Sequence, residues 1–279
     1  MIKIFIILFF CLLSCDDIGE VDRYINKGFL KTFGTKWYDY GWGITQLHDG
    51  GFAITGSTST KDKKDKDMIT IRTDDKGNGI WEIRFGGPGQ NDKNEEGLSV
   101  VQTQDGGIVS IGYSWSFGSS QQIYVTKTSF YGKELWVKHF GGSNREIGHK
   151  SIITSDGNIL IVGQTNSPGI SHGNDDVLLQ KINQNGDQIW LKAYGQLNHE
   201  IGYDVAETDG GDFLIVGFRD YYEGGKSLLI IKTDKDGNQI WEKIINEGDN
   251  ADDIGYSIIQ SADDGYIISG STSTGYPIE

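Results

Sequence analysis

The sequence predicts an all-β fold made of one four-stranded unit repeated about five times, and three observations carry that expectation. Glycines recur in pairs fifteen residues apart: Gly41 and Gly56, Gly97 and Gly112, Gly148 and Gly163, Gly202 and Gly217, Gly255 and Gly270. A further glycine stands four residues ahead of a tryptophan at Gly77 and Trp81, Gly132 and Trp136, Gly186 and Trp190, Gly237 and Trp241. The composition joins 40 glycines and many aromatics to only 3 prolines. That suits short strands joined by glycine turns, whereas disordered chains are poor in aromatics.

Each element follows from these landmarks. Four residues beyond each tryptophan comes Phe85, Phe140, Tyr194 or Ile245, and Phe29 and Phe33 keep the same register without a tryptophan. The copies therefore start near Phe29, Trp81, Trp136, Trp190 and Trp241, at intervals of 51 to 55 residues. The first strand of a copy is the tryptophan strand, as in Trp81–Phe85, with alternate large residues on one side. The second, as in Ser99–Thr103, leads into an Asp-Gly turn such as Asp105-Gly106. The third leaves that turn, as in Ile108–Ile111, and the fourth is rich in branched residues, as in Met68–Thr73 or Leu228–Lys232. Asp-Gly and Asn-Gly between such runs point to hairpins of type I′, which need positive φ.

A unit of about fifty residues cannot bury both faces alone, and units of this kind close radially. The expected architecture is a β-propeller of about five four-stranded blades with the last one incomplete. The fifth copy reaches Glu279 before its fourth strand. On this reading, either residues 18–26 lend a strand to the ring or the fifth blade stays short. Trp81, Trp136, Trp190 and Trp241 are read as structural, one wedge per blade, because tryptophan contributes heavily to core burial.

The run Thr73-Asp74-Asp75-Lys76-Gly77-Asn78-Gly79-Ile80-Trp81 returns as Thr233-Asp234-Lys235-Asp236-Gly237-Asn238-Gln239-Ile240-Trp241. It resembles the tryptophan-docking repeats of quinoprotein-like propellers, with one residue fewer before the glycine. It is closer still to the repeats of propeller lipoproteins of the Bacteroidota. The resemblance spans residues 27–275 or so and implies architecture, not activity. The matching residues are the docking ones only, so no quinone or other cofactor is expected.

The N-terminus reads as an address. Lys3 precedes an apolar run, Ile4–Leu13, of about ten residues, the length of a signal h-region and half of what a spanning helix needs. Leu12-Leu13-Ser14-Cys15 follows, then Asp16-Asp17. This resembles a bacterial lipoprotein signal peptide with its lipobox, which implies cleavage before Cys15 and a lipid on its sulfur. Leu13 departs from the small residue usual there. The acidic pair is similar to the tract that sends some Bacteroidota lipoproteins to the cell surface. The expected division is a signal peptide over 1–14, a lipidated cysteine and tether over 15–27, and the propeller over 28–279. The expected location is the cell envelope, at the outer membrane and facing outward.

Composition narrows the partners. The net charge is −14, which repels phosphate backbones, so no nucleic acid is expected. Cys11 and Cys15 are the only cysteines, so the body has neither disulfide framework nor cysteine metal site. His48, His139, His149, His172 and His199 are scattered over different repeat positions without metal-ligand spacing. Asp234-Lys235-Asp236-Gly237-Asn238 is similar to the start of a calcium loop but lacks its later glutamate, so it reads as a turn. No metal site and no catalytic residue is assigned. A glycosidase carboxylate pair stays open, since its members meet in space rather than in sequence.

Strand alternation puts the Asp-Gly and Gly-x-x-x-Trp turns on one face and the long, variable connections on the other. Loops on a rigid scaffold are where binding residues gather. The candidates are Trp37, Tyr38, Tyr40, Tyr113, Trp115, Tyr221 and Tyr222, flat side chains suited to sugar rings or protein partners. The sequence thus leads to a membrane-anchored binding or scaffolding module with a glycan or protein ligand. The alternatives are a carbohydrate-active enzyme or its accessory glycan-binding subunit, and a purely structural envelope protein.

Overall fold

The computed structural model describes residues 6–7, 28–59, 66–86, 93–221, 224–246, 251–261 and 265–273. Cys15, the rest of the leader and tether except Ile6 and Ile7, and Tyr222 lie outside the described residues. A two-residue ladder joins β1 (Ile6–Ile7) to β2 (Leu30–Lys31). All other elements are strands of five antiparallel sheets, and there is no helix among the described residues.

The first sheet holds β3 (Asp39–Gln46), β4 (Phe52–Ser59), β5 (Lys66–Thr73) and β6 (Gly79–Phe85), each paired with the next. The second repeats this with β7 (Glu95–Gln102), β8 (Ile108–Ser114), β9 (Gln122–Thr128) and β10 (Glu134–Phe140). The third is β11 (Glu146–Ile153), β12 (Ile159–Thr165), β13 (Asp176–Ile182) and β14 (Gln188–Tyr194). The fourth is β15 (His199–Glu207), β16 (Phe213–Asp220), β17 (Lys226–Thr233) and β18 (Gln239–Ile245). The fifth has β19 (Asp252–Gln260) and β20 (Tyr266–Ser273) alone.

Two expectations are corrected. The tryptophan strand closes a sheet instead of opening one: β6 pairs with β5, β10 with β9 and so on. Its hairpin with the branched strand before it is tight, while the connection after it crosses to the next sheet, so the ladder forms on the near side. The hairpins are also not of type I′. In the Asp-Gly turn, Gly50 N–H donates to Leu47 O and Leu47 N–H to Gly51 O. Gly50 takes φ 87°. This is the three-residue loop with one left-handed glycine. The Gly-x-x-x-Trp turn is built the same way, with Gly77 N–H donating to Asp74 O and Asp74 N–H to Asn78 O.

The core lies between sheets. β12 and β16 are buried along nearly their whole length, since a neighbouring sheet covers each face. Leu160, Val162, Val177 and Leu179 of the third sheet pack with Val205, Phe213, Ile215 and Leu229 of the fourth. Val109, Ile111, Ile123 and Val125 of the second pack with Ile159, Ile161, Leu178 and Ile182 of the third. The leading strands β3, β7, β11, β15 and β19 touch one another in succession and form the inner wall. Among the described residues no comparable packing joins β19 or β20 to β3.

Candidate binding surface on the inner strands

The paired glycines build the inner wall. In every sheet the register of the leading strand shifts just after the first glycine, between Gly41/Gly43, Gly97/Ser99, Gly148/Lys150, Gly202/Asp204 and Gly255/Ser257. One extra residue is thus squeezed in as a β-bulge, which bends the strand and re-aims a side chain. The second glycine faces this bulge. A Cβ on Gly56, Gly112, Gly163, Gly217 or Gly270 would overlap the carbonyl oxygen of Tyr40, Glu96, Ile147, Ile201 or Ile254. The first glycine admits the preceding sheet: a Cβ on Gly202 would stand 2.7 Å from Val162 and 2.9 Å from Val177.

The bulged residues are Trp42, Leu98, His149, Tyr203 and Tyr256. They form a row across the inner strands. His149 meets Tyr203 edge-on at 5.2 Å between ring centroids, and Tyr203 meets Tyr256 at 5.4 Å. At the other end Trp42 lies parallel to Tyr40, 5.9 Å away at an interplanar angle of 1°. Trp42 is 55% exposed and Tyr256 50%, so the two ends of the row face solvent. Burial chiefly, with Arg145 adding, holds the His149 imidazole below its ordinary pKa, against a raising hydrogen bond with Gln164. His149 is therefore neutral at neutral pH, with Nε2 and Gln164 Oε1 3.0 Å apart. Of this row, the sequence reading named only His149, and that as one of five scattered histidines to which it assigned no metal or catalytic role. The signal was present: a bulky residue directly follows the first glycine of every pair.

A second feature escaped the sequence reading. Two residues before the first glycine stands a buried carboxylate in every sheet: Asp39, Glu95, Glu146, Glu200 and Asp253. Four of them lean on the facing residue of the second strand. Asp39 accepts from Thr58 Oγ1 at 2.6 Å, Glu95 from Ser114 Oγ at 2.7 Å and Glu146 from Thr165 Oγ1 at 2.8 Å. Glu200 accepts from Arg219 Nε at 2.7 Å. Two also hold the loop entering their strand, Asp39 through Thr35 N–H at 2.6 Å and Glu146 through Gly142 N–H at 2.9 Å. These carboxylates fasten the long connections to the inner wall.

One carboxylate pair remains beside them. A Cβ on Gly195 would overlap Asp176 Oδ1 and stand 3.0 Å from Glu200 Oε2, and neither oxygen has a hydrogen-bond partner among the described residues. Burial, with Asp176 adding, pushes the Glu200 carboxyl up against the opposing Arg219. Both residues are 0% exposed, so the pair is closed off from solvent.

The other sequence candidates fall as follows. Trp37 and Tyr38 are exposed ahead of β3, Trp115 after β8 and Tyr221 after β16. Tyr113 is half-buried in β8, where burial and Glu96 raise its phenol. Only Tyr40 among these stacks on another ring within the described residues, the ring being that of Trp42. The structure does not draw the rest into one cluster. Trp81 Nε1 donates to Phe130 O and Trp136 Nε1 to Gln184 O, each at 3.1 Å and each into the tight turn of the following sheet. Trp190 lies 6.4 Å from Phe213, and Trp241 is 42% exposed. Asp234 of the calcium-like run accepts the N–H groups of Asp236 and Asn238 at 2.9 and 2.8 Å, a turn's own bonds. Among the described residues no group of three or more His, Cys, Asp or Glu is placed to hold a metal.

No family model and no curated protein matches the chain. Solved structures do. A protein of unknown function from Dyadobacter fermentans is 12% identical at a TM-score of 0.56, over 85% of this chain and 77% of its own. An α-L-arabinanase from Penicillium chrysogenum, complexed with arabinobiose, is 13% identical at 0.58, over 83% and 74%. An α-L-arabinofuranosidase from Fusarium graminearum, in complex with an iminosugar inhibitor, is 10% identical at 0.51, over 83% and 87%. Likeness at this identity concerns the fold, and with the sheet layout it fits a β-propeller.

Proposed function

We propose that the protein is a binding module of the cell envelope, held by a lipid on Cys15, that takes a neutral carbohydrate along the row from Trp42 to Tyr256. The observation behind this reading is the row itself. Five successive inner strands bulge at the same place, and four of the five bulged side chains are aromatic or imidazole rings. Flat rings fixed on a rigid scaffold offer contact area at small entropic cost, and a sugar presents C–H faces that match them. A net charge of −14 disfavours an anionic ligand.

The test is a glycan array followed by calorimetry with the purified protein. Trp42→Ala and Tyr256→Ala are expected to weaken binding at least tenfold, about 1.4 kcal/mol. A Trp37→Ala, Trp115→Ala double variant is expected to bind as before. The reverse pattern would move the ligand to the loop face, and absence of binding by folded protein would remove the carbohydrate reading. Release of reducing sugar from a bound glycan would convert the module into an enzyme. Cys15→Ala is expected to shift the protein from the membrane to the soluble fraction.

A further inference from the structure

The junctions between the four full sheets can be compared position by position. In each later sheet, the third-strand residue paired with the second glycine packs against the preceding sheet: Tyr124 opposite Gly112, Leu178 opposite Gly163 and Leu229 opposite Gly217. It meets the last large residue of that preceding sheet, Phe85, Phe140 or Tyr194. Between the first and second sheets, the Tyr124 ring packs on Met68 and Phe85. Between the third and fourth, Tyr194 crosses the junction and its hydroxyl donates to Gly237 O at 2.7 Å. Between the second and third, Leu178 lacks the size of Tyr124 and Phe140 lacks the reach of Tyr194. A cavity of about 210 Å³ lies there, walled by Ile123, Phe140, Ile170, Leu178 and Leu191.

One polar group is aimed into this cavity. Gln180 lines it and is 0% exposed. It pairs with Ile161, two residues before the second glycine, and the same place in the other full sheets holds Ile71, Thr126 or Ile231. Gln180 Nε2 donates to Gln188 Oε1 at 3.0 Å, while its own Oε1 has no hydrogen-bond partner among the described residues. A buried carboxamide oxygen without a donor is costly, so the position favours a group that can reach it. Glu146, also in the wall, is already matched. Its Oε1 accepts from Thr165 Oγ1, and its Oε2 accepts from Gly142 N–H at 2.9 Å and Gln122 Nε2 at 3.2 Å. The exposed Gln188 and the exposed His139, which stacks on Phe117 at 4.8 Å, stand at the mouth.

We propose that the cavity between the second and third sheets is a separate binding site, for a compact uncharged ring bearing one hydroxyl, whose O–H donates to Gln180 Oε1. Apolar walls with a single placed polar group are the usual form of a small-molecule site. An apolar cavity of about 150 Å³ is enough to take up benzene, so this one has room for a phenol-sized body. A charged ligand does not fit, because the aliphatic walls would strip its water and the wall carboxylate is already matched. None of the bulged residues from Trp42 to Tyr256 lines the cavity, so the site is independent of a carbohydrate on that row.

The probes are phenol and benzene, titrated against the full chain with its isoleucine and leucine methyl groups labelled for NMR. Phenol is expected to shift the methyl signals of Ile123, Ile170, Leu178 and Leu191 saturably and to leave those of Ile54 and Ile258, in other clusters, in place. Benzene is expected to bind at least tenfold more weakly, since it leaves the Gln180 oxygen without a donor. Gln180→Ile, which installs the residue found at Ile71 and Ile231, is expected to reverse that order. Leu178→Tyr, which installs the residue found at Tyr124, is expected to abolish binding of both probes. The proposal falls if folded protein shows no saturable shift, or if the shifts arise in another cluster. It falls equally if benzene binds as well as phenol, or if Gln180→Ile keeps the preference for phenol.

Discussion

At the scale of single residues, the fifteen-residue glycine spacing has a steric cause. Gly163 faces a bulge, and a Cβ there would overlap the Ile147 carbonyl oxygen, which is backbone and cannot swing aside. Gly163→Ala is expected to cost about 3 kcal/mol in urea denaturation. Gly169→Ala, at φ +83° with nothing within 4 Å, is expected to cost about 1 kcal/mol from left-handed backbone alone. Equal costs would mean that the bulge is not what excludes side chains. The glycine pairs were plain in the sequence, but the bulge was not, because a period-two reading assumes an unbroken ladder. The carboxylate two residues before each first glycine was equally regular and went unread, since Asp39 and Glu95 differ in type and lie among many acids.

Asp105 gives a pH test at the same scale. Burial raises its carboxyl, but Lys127, Thr103 and the Gly107 N–H outweigh it and bring the pKa from 3.8 to about 2. A depressed folded-state pKa adds stability above the unfolded value that is lost as pH falls through the folded one. The window is thus from about pH 4 down to about pH 2. The full shift would amount to about 2.4 kcal/mol. The carboxylate is 52% exposed, so screening cuts this to about 1 kcal/mol or less. Asp105→Asn is expected to lower the urea midpoint at pH 7 and to lose most of that effect by pH 2.5. A difference that persists there would assign the loss to packing.

At the scale of elements, each sheet is tied to the next by the end of its last strand. Trp136 is half-buried and its Nε1 reaches Gln184 O in the following turn. Trp136→Ala is expected to cost about 3 kcal/mol, the low end for a large aromatic. Trp136→Phe should cost about 1 kcal/mol, mainly the hydrogen bond. Trp241, 42% exposed, is expected to lose less than about 1 kcal/mol on truncation. Equal losses at the two positions would show that the wedge acts within its own sheet. The sequence revealed four strands per copy and the tryptophan's regularity, yet placed that strand at the head of the copy. Nothing in a linear repeat says where one sheet stops. That is decided by which hairpin is tight, and Gly132 N–H donating to Ser129 O closes β9 onto β10. The loop aromatics were legible as exposed side chains, but their gathering into a site depends on inter-strand geometry that spacing does not encode.

At the scale of the molecule, five sheets packed in sequence form a nearly one-dimensional array whose stability is a sum of sheet and interface contributions. The second, third and fourth sheets each have two neighbours, so β12 and β16 are covered on both faces. Among the described residues the fifth has one neighbouring sheet and two strands, and most of β20 is open to water. Local opening should therefore be easiest there. Hydrogen exchange is expected to show protection highest in β12 and β16 and lowest in β20, with the Ile267 and Ser271 amides exchanging at least tenfold faster than those of Ile161 and Ile215. Uniform protection would mean that the array unfolds as one unit, and that something closes it between the fifth sheet and the first.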